Sequence, residues 1–592
     1  KKEGDVLLPG AASPTYGMNV TGKVIFDLMG RVRRQGQPVF QPGYDARYLS
    51  SVPLKNPTIN EYDILGRTTK VRLPDGSEIT NTYSTHEDLF KTTVTDPLGN
   101  SKTSYTDPRE NIVRVDQFNE GRTITTTYDY NPVKEITRIT DTEGNITTIG
   151  YDLLGRRTTI DSPDAGLVEN IFDNAGNLIR KIDPNLREEK KAIKYEYDYT
   201  RLVKINYPDM PDVQYTYGTP GEDYNRAGRL KKIADESGTT EYFYGKLGEE
   251  VKTTKTQTTL VAGSNPTTTT TQYRYDYLGR MEYIEYPDGE KLTYEYDRGG
   301  QITKVYGIHR GQTFDYVKQI FYDEFGQRVF IKYGNDTTTR YTYDPARRWL
   351  KDIDTRNSTG KVFQDVAYSF DSVGNVLGVH NTGYKNVKQE YGYDDLYQLT
   401  SAKGTYTYSG KTDTYDQMFE YDTIGNFTHK VSHNKRSPGN PEPGDLNYNF
   451  VYKYENDDKP HQATRIGGWL YDYDYNGNTT AKYWLAKHAS HSDSFINSMN
   501  NSDSDDMEGS GWFDSDNEEE ESGTFDSKDK EKKPKKKEKH GNAHAYGHEN
   551  KNKQGVGIVA RYRWDEENRM KIAETNGRNT YFLYDAGGER TI

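Results

Sequence analysis

The sequence contains no cysteine and has few aliphatic side chains for its length. Hydrophobic residues make up only 32% of its 592 residues, and no apolar run approaches the roughly 18 residues that a membrane-spanning helix needs. Without cysteine the chain can form no disulfide framework, cysteine-ligated zinc site or thiol nucleophile. The sequence therefore predicts a chain without a large apolar core and without a membrane span.

An excess of basic charge and the common catalytic motifs are also missing. The net charge is −12, which gives no electrostatic reason to expect nucleic acid as a partner. The sequence has no G-x-S-x-G, Walker, H-E-x-x-H or dinucleotide-binding motif. These absences predict a protein that is not an enzyme and that uses no cofactor.

Tyrosine and glycine, by contrast, are abundant, with 51 and 54 copies. A tyrosine ring covers apolar surface while its hydroxyl stays hydrogen-bonded, so many tyrosines indicate much half-buried surface. Tyrosine and threonine favour strands, and glycine favours turns. This composition predicts an all-β protein.

One phrase, YRYDYLGRMEYIEYPDGEKLTYEYDRGG at residues 273–300, contains two turn signals. Asp276 suits the first position of a type I turn, and Gly279 suits the left-handed position that closes a three-residue hairpin loop. Pro287-Asp288-Gly289 predicts a second turn, and Lys291–Tyr296, between this turn and the next Tyr-Asp at 296–297, predicts a short strand with alternating faces. The phrase is therefore a two-stranded unit that must pair with its neighbours.

Imperfect copies of this phrase recur along most of the chain. Asp152 and Asp173 are 21 positions apart, as are Asp276 and Asp297, and such a period predicts a stacked array of repeats. The clearest copies are FDLMGR (26–31), YDILGR (62–67), YDLLGR (151–156), FDNAGN (172–177), YDEFGQ (322–327), FDSVGN (370–375), YDTIGN (421–426), YDYNGN (473–478) and YDAGGE (584–589).

These repeats resemble the YD repeats of bacterial Rhs proteins, of the B and C components of Tc insecticidal toxins, of wall-associated polymorphic toxins and, more distantly, of animal teneurins. The resemblance implies a long antiparallel β-sheet of YD-repeat hairpins that spirals into a hollow shell, or cocoon. It predicts four regions: a lead-in with a first repeat-like turn (1–55), the repeat shell (56–487), a charged low-complexity insertion (488–556) and the final repeats (557–592). The insertion has too few apolar residues to offset its ordering entropy, which predicts disorder.

The repeated carboxylates are the first candidate site residues. A glycosidase needs two carboxylates at a fixed separation, but here the same aspartate occurs in every turn, which favours turn capping. We therefore predict structural roles for Asp63, Gly66, Asp152, Gly155, Asp276, Gly279, Asp323, Gly326, Asp422, Gly425 and Asp585.

A histidine trio is the alternative candidate. His540, His544 and His548 would share one face of a helix, as metal ligands can, but the intervening glycines disfavour a helix. We predict a solvated loop and no metal site.

The resemblance also implies a function. It predicts a non-enzymatic shell that sequesters a C-terminal effector of the same polypeptide until delivery, with the family's self-cleaving core lying beyond Ile592. Such a protein would be secreted or at the cell surface, with other toxin-complex or secretion components as partners. We expect the sequence to be part of a longer protein, since it shows no signal peptide. The alternative is a surface adhesin or a scaffold that binds glycans.

Overall fold

The computed structural model describes residues 2–485 and 556–591, with short gaps at 46, 48–51, 260–264, 384, 438–445 and 576. Apart from Val556, the insertion predicted at 488–556 lies outside the described residues, and so do His540, His544 and His548. The four predicted region boundaries stay predictions.

The described residues form short strands along almost their whole length. The first are β1 Lys2–Val6, β2 Thr15–Val20, β3 Val24–Phe26, β4 Val32–Gln35, β5 Val39–Pro42, β6 Thr58–Tyr62, β7 Thr68–Arg72, β8 Glu78–His86, β9 Leu89–Thr95, β10 Ser101–Thr106, β11 Ile112–Asn119, β12 Arg122–Tyr130, β13 Ile136–Thr140, β14 Ile146–Tyr151, β15 Arg157–Ser162, β16 Gly166–Phe172 and β17 Leu178–Ile182. A short helix follows, α1 Pro184–Glu188.

The middle strands are β18 Ile193–Asp198, β19 Arg201–Asn206, β20 Val213–Tyr217, β21 Leu230–Asp235, β22 Gly238–Tyr244, β23 Glu250–Gln257, β24 Thr267–Tyr275, β25 Met281–Glu285, β26 Lys291–Tyr296, β27 Ile302–His309, β28 Gln312–Tyr322, β29 Arg328–Tyr333, β30 Thr338–Tyr343 and β31 Leu350–Arg356. The last are β32 Val362–Phe370, β33 Val376–Asn381, β34 Asn386–Tyr393, β35 Leu399–Tyr408, β36 Lys411–Tyr421, β37 Phe427–Lys435, β38 Tyr448–Lys453, β39 Arg465–Ile466, β40 Trp469–Tyr473, β41 Thr479–Leu485, β42 Val556–Trp564, β43 Met570–Thr575 and β44 Arg578–Tyr581.

Nearly all of these strands form one antiparallel strip in chain order. β3 pairs with β4 and β4 with β6, and from β6 to β44 each strand pairs with the next. β1, β2 and β5 make a small patch beside the strip, which joins it where Val6 pairs in parallel with Tyr322. The predicted all-β fold and long antiparallel sheet are confirmed.

The strip winds back on itself. Hydrogen bonds join residues that are 269 to 309 positions apart in the sequence. The separation is 334 to 386 positions where residues 486–555 lie between the two partners in the sequence. The partner advances steadily along the chain, since Asn119 meets Asp394 and Gln257 meets Thr591. A steady offset of this kind describes a spiral, whose first coil consists of the described residues of 2–296 and whose second coil consists of those of 297–485 and 556–591.

The strip has two edges with different turns. The turn between β3 and β4, and the turns after even-numbered strands from β6 onward, form the Tyr-Asp edge. The turns after odd-numbered strands from β7 onward form the opposite edge. The Tyr-Asp edge of the second coil contacts the opposite edge of the first coil, and we call this line of contact the seam.

Large buried clusters are few in the part of the chain that the structure describes, as the low aliphatic content predicts. One cluster consists of Leu186 of α1 with Ile193, Ile205 and Val213 of the neighbouring strands. Ala586, from the last hairpin turn of the second coil, packs against the same cluster, so this small core lies under the seam. No helix in the described part of the chain is long and apolar enough to cross a bilayer.

Candidate functional site: the Tyr-Asp turns and the seam

The Tyr-Asp turn is held by a set of hydrogen bonds inside six residues. In the turn at Asp276, carboxylate Oδ1 accepts the N–H groups of Leu278 and Arg280 at 2.9 and 3.0 Å. Oδ2 accepts Nε of the Arg280 guanidinium at 2.7 Å. Gly279 has φ of 75°, the left-handed region that glycine occupies without strain. Every polar atom of the aspartate side chain is therefore engaged within its own turn.

The other aspartates selected from the sequence have the same geometry. In each copy Oδ1 accepts the N–H groups two and four residues later, and the glycine has positive φ. These copies are Asp63 with Gly66, Asp152 with Gly155, Asp323 with Gly326, and Asp422 with Gly425. Asp585 does the same with Gly588. The carboxylates are thus spread one per hairpin along one edge.

Electrostatics do not single out a catalytic acid among the exposed copies. Desolvation acts to raise the pKa of Asp276, but the N–H and guanidinium of Arg280 outweigh it, so the pKa is lowered below the usual value. The pKa values of Asp63 and Asp152 are lowered against the same desolvation by the equivalent arginines. A carboxylate held ionised in this way is a hydrogen-bond acceptor and a poor proton donor.

The sequence did not reveal that many of these turns are tied to the next one. The Tyr296 hydroxyl donates to the carbonyl of Met281 at 2.7 Å, and the Arg280 guanidinium lies over the Tyr296 ring at 4.6 Å. A tyrosine at the end of the strand before a turn thus binds the strand that follows the preceding turn on the same edge. Equivalent hydroxyl bonds are made by Tyr62, Tyr217, Tyr244, Tyr322, Tyr393, Tyr421 and Tyr584. The signal that could have shown this is the fixed order of Tyr, Asp, Gly and Arg.

Several degenerate phrases form the same turn without glycine. Lys134, Tyr397 and Asn568 hold the left-handed position at φ of 69°, 66° and 59°. Asn131, Asp394 and Asp565 supply the side-chain oxygen in these turns. The side-chain oxygen at the first position is therefore the more constant requirement, and glycine removes strain where it occurs.

The seam is predominantly polar and includes buried charge. Lys571 of the second coil lies 2.6 Å from both carboxylate oxygens of Glu236 in the first coil. Their side chains are 16% and 9% exposed, and Glu236 also accepts the Tyr584 N–H at 3.0 Å. Glu566 accepts the N–H groups of Asp209 and Met210 at 2.9 and 3.1 Å. Desolvation raises the pKa of Glu566 despite these bonds.

Metal ligands do not converge in the described residues. No group of three or more His, Asp or Glu side chains there is arranged to hold a metal ion. The histidine trio lies outside the described residues, so the hypothesis about it stays a prediction.

Comparison with known proteins identifies the repeat. The family described as RHS Repeat matches residues 130–166, which span the turns at Asn131, Asp141 and Asp152. The chain contains an RHS repeat at these residues. This confirms the family predicted from the Tyr-Asp phrases.

Two toxin subunits of Yersinia entomophaga are similar to this RHS-repeat chain. YenC2 is 27% identical over 268 residues, which is 41% of this chain and 24% of YenC2. YenC1 is 35% identical over 124 residues, 18% of this chain and 13% of YenC1. The chain thus spans a quarter or less of the length of these relatives.

A crystal structure of TcdB2-TccC3 has the same fold. It superimposes with a TM-score of 0.65 and 21% identity over 82% of this chain and 29% of that chain. The predicted fold of YD-repeat hairpins spiralling into a shell is confirmed.

Proposed function

We propose that this RHS-repeat chain is a wall segment of a bacterial toxin shell, which contains an effector segment of the same polypeptide until delivery. The seam is the observation that carries the proposal. It joins the two coils by bonds repeated along the strip, from Lys55–Glu324 to Gln257–Thr591, so the strip makes a continuous wall. Similarity to the toxin subunits YenC2 and YenC1 supports a place in a toxin complex.

The wall itself performs no chemistry in this proposal. The turn carboxylates of the exposed copies are occupied by their own N–H and guanidinium groups, as at Asp276. Chemistry then belongs to the enclosed segment and to the self-cleaving core that the family resemblance implies beyond Ile592. The protein would act outside the producing cell, with other toxin-complex components as partners.

Limited proteolysis of the complete polypeptide tests containment. A protease such as proteinase K is added to the native polypeptide, and peptides from beyond Ile592 are followed by mass spectrometry. We expect them to survive at least about tenfold longer than the same segment expressed alone, because an enclosed chain is cleaved only after local opening. Equal cleavage rates in the two samples would refute containment.

A glycan-binding surface scaffold is the second candidate. The exposed ring of Tyr199, at the tip of the β18–β19 turn, favours it because exposed aromatic rings can stack on sugars. A glycan array gives the decisive measurement. Binding that is lost in Tyr199→Ala, together with an unprotected C-terminal segment, would support the scaffold in place of the shell.

A further inference from the structure

A cavity of about 450 Å³ lies in the seam, where β9, β10 and β11 of the first coil meet the second-coil turn at Asp395. We call it the seam cavity. Thr93 and Thr103 line it; they are register partners whose hydroxyl oxygens lie 2.8 Å apart. Thr103 is only 2% exposed, so packing holds this part of the lining in place. A cavity of this size can hold a small molecule.

Asn100 supplies an amide group at the edge of the seam cavity. In an equivalent turn the asparagine at this position donates Nδ2 to its own aspartate, as Asn111 does to Asp107 at 2.9 Å. In the turn at Asp96, the Tyr397 hydroxyl of the second coil donates to the aspartate Oδ2 instead. The Asn100 side chain therefore has no hydrogen-bond partner among the described residues, although its backbone N–H is bound.

The seam cavity has opposite charges at its two ends. At one end Lys91 lies two residues from Thr93 along β9, and its ammonium is 5.7 Å from the centre of the Tyr105 ring. At the other end the Asp395 Oδ2 accepts the Glu120 N–H at 3.0 Å, and a carboxylate with one such bond can accept others. Within the described ranges neither Lys91 nor Asp395 has an ion-pair partner.

Phe118 adds an apolar wall near the Asp395 end. Its ring is 41% exposed, and it lies two residues beyond Asp116 on the same face of β11. The Asp116 carboxylate is bound by the Arg114 guanidinium at 2.7 and 3.0 Å, so it does not neutralise Lys91. The wall and the two charges thus have a fixed order along the cavity.

These groups define the chemistry of a ligand. The Lys91 ammonium and the threonine hydroxyls would bind a carboxylate, and the Asp395 carboxylate would bind an ammonium group. An aromatic side chain near that ammonium would pack on Phe118. A neutral sugar would leave both charges without a counter-charge, which is unfavourable in a partly buried cavity. A short peptide with free termini and an aromatic first residue has the required groups in the required order.

We propose that the seam cavity binds a short peptide with free termini, with its amino end at Asp395 and its carboxyl end at Lys91. Asp395 belongs to the second coil and Lys91 to the first, so the bound peptide joins the two coils. A ligand that binds only the folded protein stabilises it. The inference depends on the geometry of the cavity and holds whether or not the shell contains an effector.

The dipeptide Phe-Gly is the probe, and isothermal titration calorimetry on the complete polypeptide measures its binding. N-acetyl-Phe-Gly amide, which lacks both charges, and lactose, a neutral sugar, are the comparison ligands. Lys91→Met and Asp395→Asn each remove one charge, and the asparagine keeps an acceptor for the Glu120 N–H. Lys102→Met is the matched control, because Lys102 adjoins Thr103 but lies on the opposite face of β10.

We expect Phe-Gly to bind, and each charge-removing variant to weaken it at least about tenfold, because each loses a charge-assisted hydrogen bond. The blocked peptide should bind more weakly by at least the same factor, and Lys102→Met should change nothing. Phe-Gly should also raise the thermal midpoint of the unsubstituted protein and not that of Lys91→Met.

Three results would overturn the proposal. One is an absence of binding and of any midpoint shift with Phe-Gly at about 10 mM, where even a weak site is occupied. The second is equal affinity for the free and the blocked peptide, which needs no variant and shows that the charges do not bind the termini. The third is tighter binding of lactose than of Phe-Gly, which would assign the cavity to a sugar.

Discussion

The turns at residues 275–280 and 322–327 share Tyr, Asp and Gly at the same positions and have the same backbone, but they lie on different coils. Gly279 and Gly326 have φ of 75° and 79°, and each aspartate accepts the same two N–H groups. Asp276 lies on the exposed Tyr-Asp edge of the first coil, which we call the rim, and pairs with its own Arg280. Asp323, on the seam side of the spiral, has a nearly buried side chain and pairs with Arg348 of the next Tyr-Asp turn.

Burial then separates the two carboxyl groups chemically. Desolvation raises the pKa of Asp323 despite the N–H of Gln327 and the charge of Arg348, whereas the pKa of Asp276 is lowered. The shared Asp and Gly therefore specify the turn, whereas burial and the sixth residue, Arg280 in one turn and Gln327 in the other, decide its electrostatics. Each of the following predictions tests the difference between seam and rim.

The largest effect is expected where the seam contains buried charge. Glu236→Ala removes both carboxylate oxygens that bind the Lys571 ammonium, one of which also accepts the Tyr584 N–H. Leaving a buried charge unpaired should destabilise the strands around β43 by about 3 kcal/mol. Hydrogen exchange of the amides around β43, followed at increasing denaturant concentration, would measure this loss of stability.

Glu78→Ala is the matched control for that change. Glu78 pairs with Lys70 and Arg72 within one exposed hairpin of the first coil, where an ion pair contributes little. We expect no resolvable shift in its unfolding midpoint. Equal losses in the two variants would mean that the seam is not a special source of stability.

A smaller effect is expected at the turn tips. Phe325 lies against the Arg348 guanidinium at 4.0 Å and near the Lys55 ammonium at 5.9 Å, so it is part of the contact between coils. Phe325→Ala should cost about 1–2 kcal/mol through lost burial and cation–π contacts. Leu278→Ala, at the equivalent tip of the exposed rim, should leave the thermal midpoint of this 592-residue chain unchanged. Equal destabilisation of the two variants would contradict this prediction, because it would mean that other residues of this sequence cover the rim.

The smallest and most local effect is in titration. The pKa of Asp276 should lie below the ordinary value of 3.8, and that of Asp323 should lie above it. Asp276 therefore contributes stability that is present above pH 3.8 and is lost as pH falls through its folded pKa. The contribution of Asp323 to stability has the opposite pH dependence. It is present below pH 3.8 and is lost as pH rises through the folded pKa of Asp323.

Carbon-13 NMR of aspartate-labelled protein would measure both pKa values, with Asp276→Asn and Asp323→Asn to assign the signals. Two carboxyl groups that titrate together near the ordinary value of 3.8 would contradict the assigned difference between rim and seam.

Much of the fold could be predicted from short stretches of sequence. The phrase at 273–300 placed a strand at Lys291–Tyr296, and β26 spans those residues. It also placed turns at Gly279 and Gly289, which have positive φ. The helix α1 was not predicted, although Asp183 caps it and Pro184 occupies its first position, a recognisable start signal.

What the sequence alone determined is therefore the hairpin, because its hydrogen bonds close within five residues and depend only on Asp, Gly and their neighbours. The partners across the seam, such as Asn119 and Asp394, are 275 residues apart, and no local pattern encodes that distance. It is set by the accumulated twist and curvature of many strands, which fix the circumference of the coil. Which Tyr-Asp turns are covered, which form the exposed rim and which carboxylates are buried therefore follow from the way the strip winds in three dimensions.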